Sequence, residues 1–344
     1  MIDPIKLARR LIDIPSVSDS EGAVAIALQE VLEGLGFRVE RQQISADRFN
    51  LFAATSATPR VLLCTHIDTV PPFFASHEEG DLLFGRGACD TKGIQAAMLA
   101  AAERLLTGGI SEFGFLLVVA EETDSVGAKR ANEEFANRGS EYIIVGEPTE
   151  SKYVHASKGA FSCTLRFVGK AAHSAYPERG DSAIRKMRQA LDAIESRDWG
   201  SDPLLGAATV NVGVVRGGAK ANIVPAEAEA DLIFRTVRHH EDMKREVEAL
   251  IVPFGGSIAK FHGNPPTYMV TPEGVDSIGV AFNTDVPHLG RMGKPLLFGP
   301  GSILDAHAAD EKISKRELLA AVDTYESLVR SLLAGEVKTH GKSN

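Results

Sequence analysis

Short apolar runs alternate with segments of helical period along the first part of the chain. Val61-Leu-Leu-Cys64, Phe115-Leu-Leu-Val-Val-Ala120 and Tyr142-Ile-Ile-Val145 carry no polar residue, as expected of strands buried on both faces of a parallel sheet. Helices are predicted from Asp3-Pro4, where Asp can cap and Pro suits the first turn, over residues 21–35 and 94–106, and around 126–136. From about residue 158 the texture changes. Strands at 160–168 and 227–237 mix apolar and polar positions, as when one sheet face meets water. Between them lie a helix near 182–196 and a strand at 209–215, and a further helix covers about 241–252. The order strand, helix, strand, strand, helix, strand resembles a ferredoxin-like unit. After Pro265-Pro266 the first texture returns, with a helix near 275–282, a strand at 296–298 and a last helix over about 314–333. The expected fold class is α/β: a mostly parallel sheet with helices on both faces, residues 1–157 and 266–344, interrupted by an inserted α+β domain at 158–265. The polar residues from 338 on are expected to fray.

Composition narrows the function. The chain has 344 residues, 37 basic against 46 acidic side chains and a net charge of −9, so it offers no basic field for a polyanion and no nucleic-acid partner is expected. No apolar run approaches the roughly 18 to 20 residues that cross a bilayer, and no membrane partner is expected. The N-terminus lacks a basic segment followed by a long apolar one. Cys64, Cys89 and Cys163 are an odd count without paired spacing. They argue against a disulfide framework and fit small buried thiols in a reducing, cytoplasmic setting.

In open α/β sheets ligands sit beyond the carboxyl ends of the strands, and the residues found there are alike. His66 and Asp68 follow the first run, Glu121 and Glu122 the second, and Glu147 the third. Asp90 lies in the Gly-flanked loop 85–93, and the loop after 296–298 delivers His307. Taken singly, each has an ordinary reading: a satisfied histidine, a solvated helix start, a turn or cap. Their joint occurrence on one rim is the signal. Crowded carboxylates raise one another's pKa and need a counter-charge, and Arg86 and Lys92 are too few to supply it. Divalent cations would. Mixed His/Asp/Glu ligation without thiolate suits zinc, cobalt or manganese, and the ligand count suggests two ions sharing a carboxylate, about 3.5 to 4 Å apart.

The segments LCTHIDTVP at 63–71, GRGACDTKG at 85–93, AEET at 120–123, GEPT at 146–149, GKAAHSA at 169–175 and Ala306-His307 together resemble the ordered signature of the dinuclear zinc amidohydrolase family. That family includes acetylornithine deacetylase, succinyl-diaminopimelate desuccinylase, aminoacylase and glutamate carboxypeptidase. The resemblance spans nearly the whole chain and implies a catalytic α/β domain interrupted by a lid domain that usually dimerises, hence a homodimer. It implies that His66 and Glu147 bind one ion, Glu122 and His307 the other, and that Asp90 bridges them. Asp68 would accept a hydrogen bond from the His66 imidazole and fix its tautomer. Glu121, left free beside the metals, would act as general base on a metal-activated water and then protonate the leaving amine. His173 in the lid would donate to the developing oxyanion, in many relatives across the dimer. Asn222, in the turn 217–225, resembles a substrate contact, and Arg235 a carboxylate-binding arginine. Gly301 and Ser302 are candidates for presenting backbone donors to substrate.

The reaction that the resemblance favours is hydrolysis of an N-acyl amino acid, as in acetylornithine deacetylation. The chain departs from many deacetylases in its shorter length and in Ala308-Ala309 after the histidine, which leaves side-chain specificity open. The alternatives are a dipeptidase or carboxypeptidase, or a desuccinylase-like enzyme, on the same site. A non-catalytic amino-acid-binding descendant is a further alternative, against which Glu121 weighs. A dinucleotide enzyme is disfavoured because GRGACD ends in Asp90 where the fingerprint requires Gly or Ala.

Overall fold

The apolar runs of the first half form the strands Val61–His66, Phe113–Val118 and Tyr142–Val145, with every residue buried. Val61–His66 lies between the other two and pairs in parallel with both. Lys294–Leu297 extends the parallel set beside Tyr142–Val145. The centre of the sheet is parallel, as expected, and its margins are antiparallel. Arg38–Ser45 and Arg48–Ala54 form a hairpin whose second strand pairs antiparallel with Phe113–Val118, and Tyr153–Ser157 meets Lys294–Leu297 antiparallel. Arg38–Ser45 reads RVERQQIS, too polar to register as an apolar run.

The computed structural model describes residues 1–340, and the chain divides into two compact units. The first contains Met1–His155, Tyr268–Ile278 and the chain from Thr284 on; the second contains Ala156–Thr267 and Gly279–Asn283. In the first unit Pro4–Ile12, Gly22–Gly34, Lys92–Thr107 and Lys315–Ala334 bury their apolar residues in one core with the sheet. Asp3 caps the first helix through its carboxylate to Ile5 and Lys6 N–H. Lys92–Thr107 is buried along most of its length and rich in alanine, so it lies close to its neighbours. At Gly146 a Cβ would meet Met98 Cε at 2.5 Å and Ile94 Cγ2 at 2.6 Å; only glycine lets the strand end pass so near the helix.

Asn50 holds the strand that leads into the glutamate loop. Wholly buried, it accepts from Val119 N–H at 3.0 Å and donates to Gly127 O at 2.9 Å and to Gln42 Oε1 at 2.7 Å. Replacing it with Leu strands the Val119 and Gly127 groups, each costing about 1–3 kcal/mol. A fall in stability of roughly 2–6 kcal/mol is therefore expected, read from the midpoint of urea denaturation.

The second unit is a four-stranded antiparallel sheet in the order Thr209–Gly217, Glu227–Thr236, Gly159–Val168, Gly256–Asn264, with helices Ala183–Glu195 and His240–Ile251. Its core gathers Phe161, Leu165, Phe167, Met187, Leu191, Trp199 and Phe234. The first and third strands in chain order occupy the centre, as in a ferredoxin-like unit. Residues 275–282 are not a helix: Ser277–Val280 is a strand pairing with Tyr153–Ser157. The stretch is too short for its period to separate helix from strand.

Candidate metal centre

His66 ends a central strand and is 1% exposed. Its Nε2 lies 3.0 Å from Asp90 Oδ1, while Asp90 Oδ2 lies 3.3 Å from His307 Nε2. His307 Nε2 in turn is 2.9 Å from the Glu122 carboxylate. The donor atoms of His66, Asp90 and Glu122 all fall within 4.8 Å of one another. Two donors around one ion at about 2.1 Å are roughly 3.4 Å apart in a tetrahedron, so these spacings match a coordination shell. Asp90 turns one oxygen toward His66 and the other toward His307, the disposition of a carboxylate shared between two ions. Glu147, 5% exposed, stands beside them with its charge acting on His66, Asp90 and Glu122.

The electrostatics are those of a crowded anionic pocket. Burial, and then the Glu147 charge, push the Glu121 carboxyl well up. Burial does the same to Glu147, against the pull of His66. For His66 burial opposes protonation, but hydrogen bonds to Asp68 and Asp90 outweigh it and raise the imidazole. Hydrogen bonds to Asp90 and Glu122 lift His307 to about 10. A pocket so crowded with carboxylates needs a counter-charge. Arg86 and Lys92 cannot serve: Arg86 is spent on Glu311 at 2.6 Å and Lys92 donates to Ile14 O at 2.6 Å. The oxygen and imidazole donors fit hard to borderline divalent ions.

The backbone that carries these groups is held in sparse conformations. Ala120 (φ 66°) precedes the glutamate pair, and His307 has φ 63°; left-handed backbone at non-glycine residues costs about 1–2 kcal/mol and persists where surroundings enforce it. Asp68 enforces the first. Its carboxylate accepts from Glu121 N–H at 3.1 Å, Glu122 N–H at 3.2 Å and Ser18 Oγ at 2.7 Å. His66 Nδ1 lies 2.9 Å from the Asp68 carbonyl and 3.4 Å from its carboxylate. Asp68 thus faces the imidazole with both its carbonyl and its carboxylate, the carbonyl being the nearer.

Gly301 is also corrected as a substrate donor. Its N–H is taken by Glu317 Oε1 at 3.0 Å. Ser302 uses its carbonyl to accept from Cys89 Sγ at 3.2 Å. All three cysteines are free and buried. In the second unit His173 and Asn222 lie on adjoining segments, joined by a bridge between His173 and Ile223 and by Ser174 N–H to Asn222 O at 3.1 Å; both side chains are exposed. Arg235, on Glu227–Thr236, is half-buried and its pKa is drawn down by burial. No carboxylate among the described residues pairs with it.

Sequence reasoning missed two groups. Asp285 is 2% exposed with neither carboxylate oxygen in hydrogen-bonding geometry, and burial pushes it up to about 7; its charge reaches Glu121 and Glu147. It follows a segment read as helix, so no strand end flagged it. Glu311, wholly buried, follows no apolar run, so no strand end flagged it either.

Residues 155–252 match a peptidase dimerisation domain of M20 type. Over 335 residues the chain is 36% identical to a peptidase M20 domain-containing protein of Schizosaccharomyces pombe, covering 94% of this chain and 84% of that one. The chain belongs to the M20 peptidase family. A second relative, a probable carboxypeptidase of Aspergillus clavatus, is 35% identical over 367 residues, covering 96% and 88% of the two chains. The M20 fold is shared with a solved M20 family metallo-carboxypeptidase from Sulfolobus solfataricus at TM-score 0.78 and 18% identity, covering 96% and 99%. As an M20 member the chain is a metal-dependent hydrolase of the dinuclear class. Among the described residues no helix is long and apolar enough to cross a membrane.

Proposed function

We propose that the chain is a metallo-carboxypeptidase that hydrolyses the last peptide bond of a short peptide. What carries this reading over the acetylornithine deacetylase-like one is the 35% identity, over nearly the whole chain, to a relative named a probable carboxypeptidase. Arg235 supports it: a half-buried guanidinium without a carboxylate partner among the described residues suits a substrate α-carboxylate, which its planar fork can grip through two hydrogen bonds.

His66 and Glu147 would hold one ion and Glu122 and His307 the other, with Asp90 available to both; zinc is the expected metal, and cobalt or manganese would fit the same donors. When bound, the two ions supply Lewis acidity that polarises the scissile carbonyl and acidifies water. Glu121 takes the proton of the attacking water on its carboxylate and returns it to the leaving amine. Asp68 keeps Glu121 and Glu122 in place through their N–H groups. His173 donates a hydrogen bond to the developing oxyanion, Asn222 contacts the substrate beside it, and the residue 155–252 domain joins two copies into a homodimer.

The test is a substrate panel on metal-loaded enzyme: N-blocked dipeptides with a free carboxylate, the same peptides amidated, unblocked dipeptides and N-acetylornithine. Preference for the blocked acids over their amides is expected. A tenfold or greater preference for N-acetylornithine would restore the deacetylase reading, and a requirement for a free amine would favour a dipeptidase. Arg235→Ala is expected to lower kcat/KM for free-acid peptides about 10- to 100-fold, the worth of a charged hydrogen bond at about 1.5–3 kcal/mol, chiefly through KM. Amidated peptides, already poor, should change little.

A further inference from the structure

We propose that the buried Arg86–Glu311 pair is a positioning device that fixes Asp90 and His307 relative to each other for metal binding. The proposal rests on the reading of those two residues as ligands. Glu311 belongs to the loop that carries His307, yet its side chain serves the loop that carries Asp90. Its Oε1 accepts from Asp90 N–H at 3.0 Å and from Cys89 N–H at 3.1 Å, and its Oε2 from Arg86 Nη1 at 2.6 Å. The Glu311 carbonyl also accepts from Gly85 N–H at 3.0 Å. Arg86 is anchored in turn by Nε to Pro72 O at 3.1 Å. Exposure is 1% for Arg86 and nil for Glu311.

A second fastener joins the same two loops. Cys89 Sγ donates to Ser302 O at 3.2 Å, and at Gly301, where φ is 86°, a Cβ would fall 2.6 Å from that sulfur. The Asp90 carboxylate and His307 imidazole, 3.3 Å apart, are therefore set by contacts that use neither of those two side chains. A buried ion pair is seldom more stabilising than apolar packing of equal volume. What Glu311 does that an apolar side chain cannot is accept two backbone N–H groups at the ligand itself, while Arg86 holds its other oxygen in place. Groups that orient ligands in this way typically govern metal affinity.

The test titrates metal-free enzyme with cobalt(II), following its visible d–d absorption, for the parent, Glu311→Gln, Arg86→Met and the double variant Arg86→Met/Glu311→Leu. The parent is expected to take up two equivalents. Each variant should bind cobalt about 10- to 100-fold more weakly, with an altered band shape. The double variant matters most, because apolar packing restores the fold while the acceptor for the Asp90 N–H stays absent. Thermal melts with and without cobalt read the same coupling, and the metal-induced rise should shrink in every variant that folds. A folded double variant with the parent's cobalt affinity and spectrum overturns the proposal, since the pair would then matter to folding alone. A parent chain that takes up no cobalt overturns the metal-centre reading itself, and this proposal with it.

Discussion

Glu121→Gln is expected to lower kcat by about 10²- to 10⁴-fold, the usual worth of a positioned general acid–base group, while the enzyme still binds two metal ions. The expectation follows from how Glu121 and Glu122 differ although they are neighbours. The Glu122 carboxylate reaches His307 at 2.9 Å and shares a donor cluster with His66 and Asp90. Glu121 is outside that cluster, and burial and Glu147 raise its carboxyl, which moves a carboxylate toward the pKa range useful to a base near neutrality. The amide keeps the shape and removes the proton-accepting oxygen. KM should move little, because proton transfer is made in the transition state and not in the bound ground state. Metal analysis separates the two glutamates: loss of an ion in Glu121→Gln would mean that Glu121 is the ligand and Glu122 the base.

Asp90→Ala is expected to abolish activity and to leave at most one loosely held ion. Asp90 is the group that addresses both imidazoles, at 3.0 Å and 3.3 Å, so its removal strips a donor from each half of the centre at once. Thermal stability offers a readout free of substrate. A ligand at a thousandfold excess over its Kd adds about 4 kcal/mol to the native state, so zinc should raise the parent's melting temperature and leave that of Asp90→Ala nearly unchanged. An Asp90→Ala variant that keeps two tightly bound ions would remove Asp90 from the centre.

The residues of the proposed metal site stand out in the sequence because strand burial and the candidate ligands coincide there. Val61–His66 and Tyr142–Val145 are continuous apolar runs, and His66 and Glu147 stand at or just beyond their ends. The polar hairpin strand Arg38–Ser45 gave no such signal, and it turns the sheet margin antiparallel. Ser277–Val280 is so short a run that it fits either period. The supporting contacts were the least legible. Arg86 and Glu311 meet across 225 positions of sequence, and nothing in either local pattern announces the partner. Likewise, the Gly301 amide looks like a free donor in the sequence, and Glu317 on the following helix occupies it. Pairings of this kind arise from tertiary packing and have no period to read.

The most direct measurement is anomalous diffraction from crystals of the zinc- or cobalt-loaded enzyme. Two metal peaks are predicted, about 3.5 to 4 Å apart as in other two-metal sites, with Asp90 between them, His66 and Glu147 on one and Glu122 and His307 on the other. A single peak, or two peaks that do not share Asp90, would contradict the account.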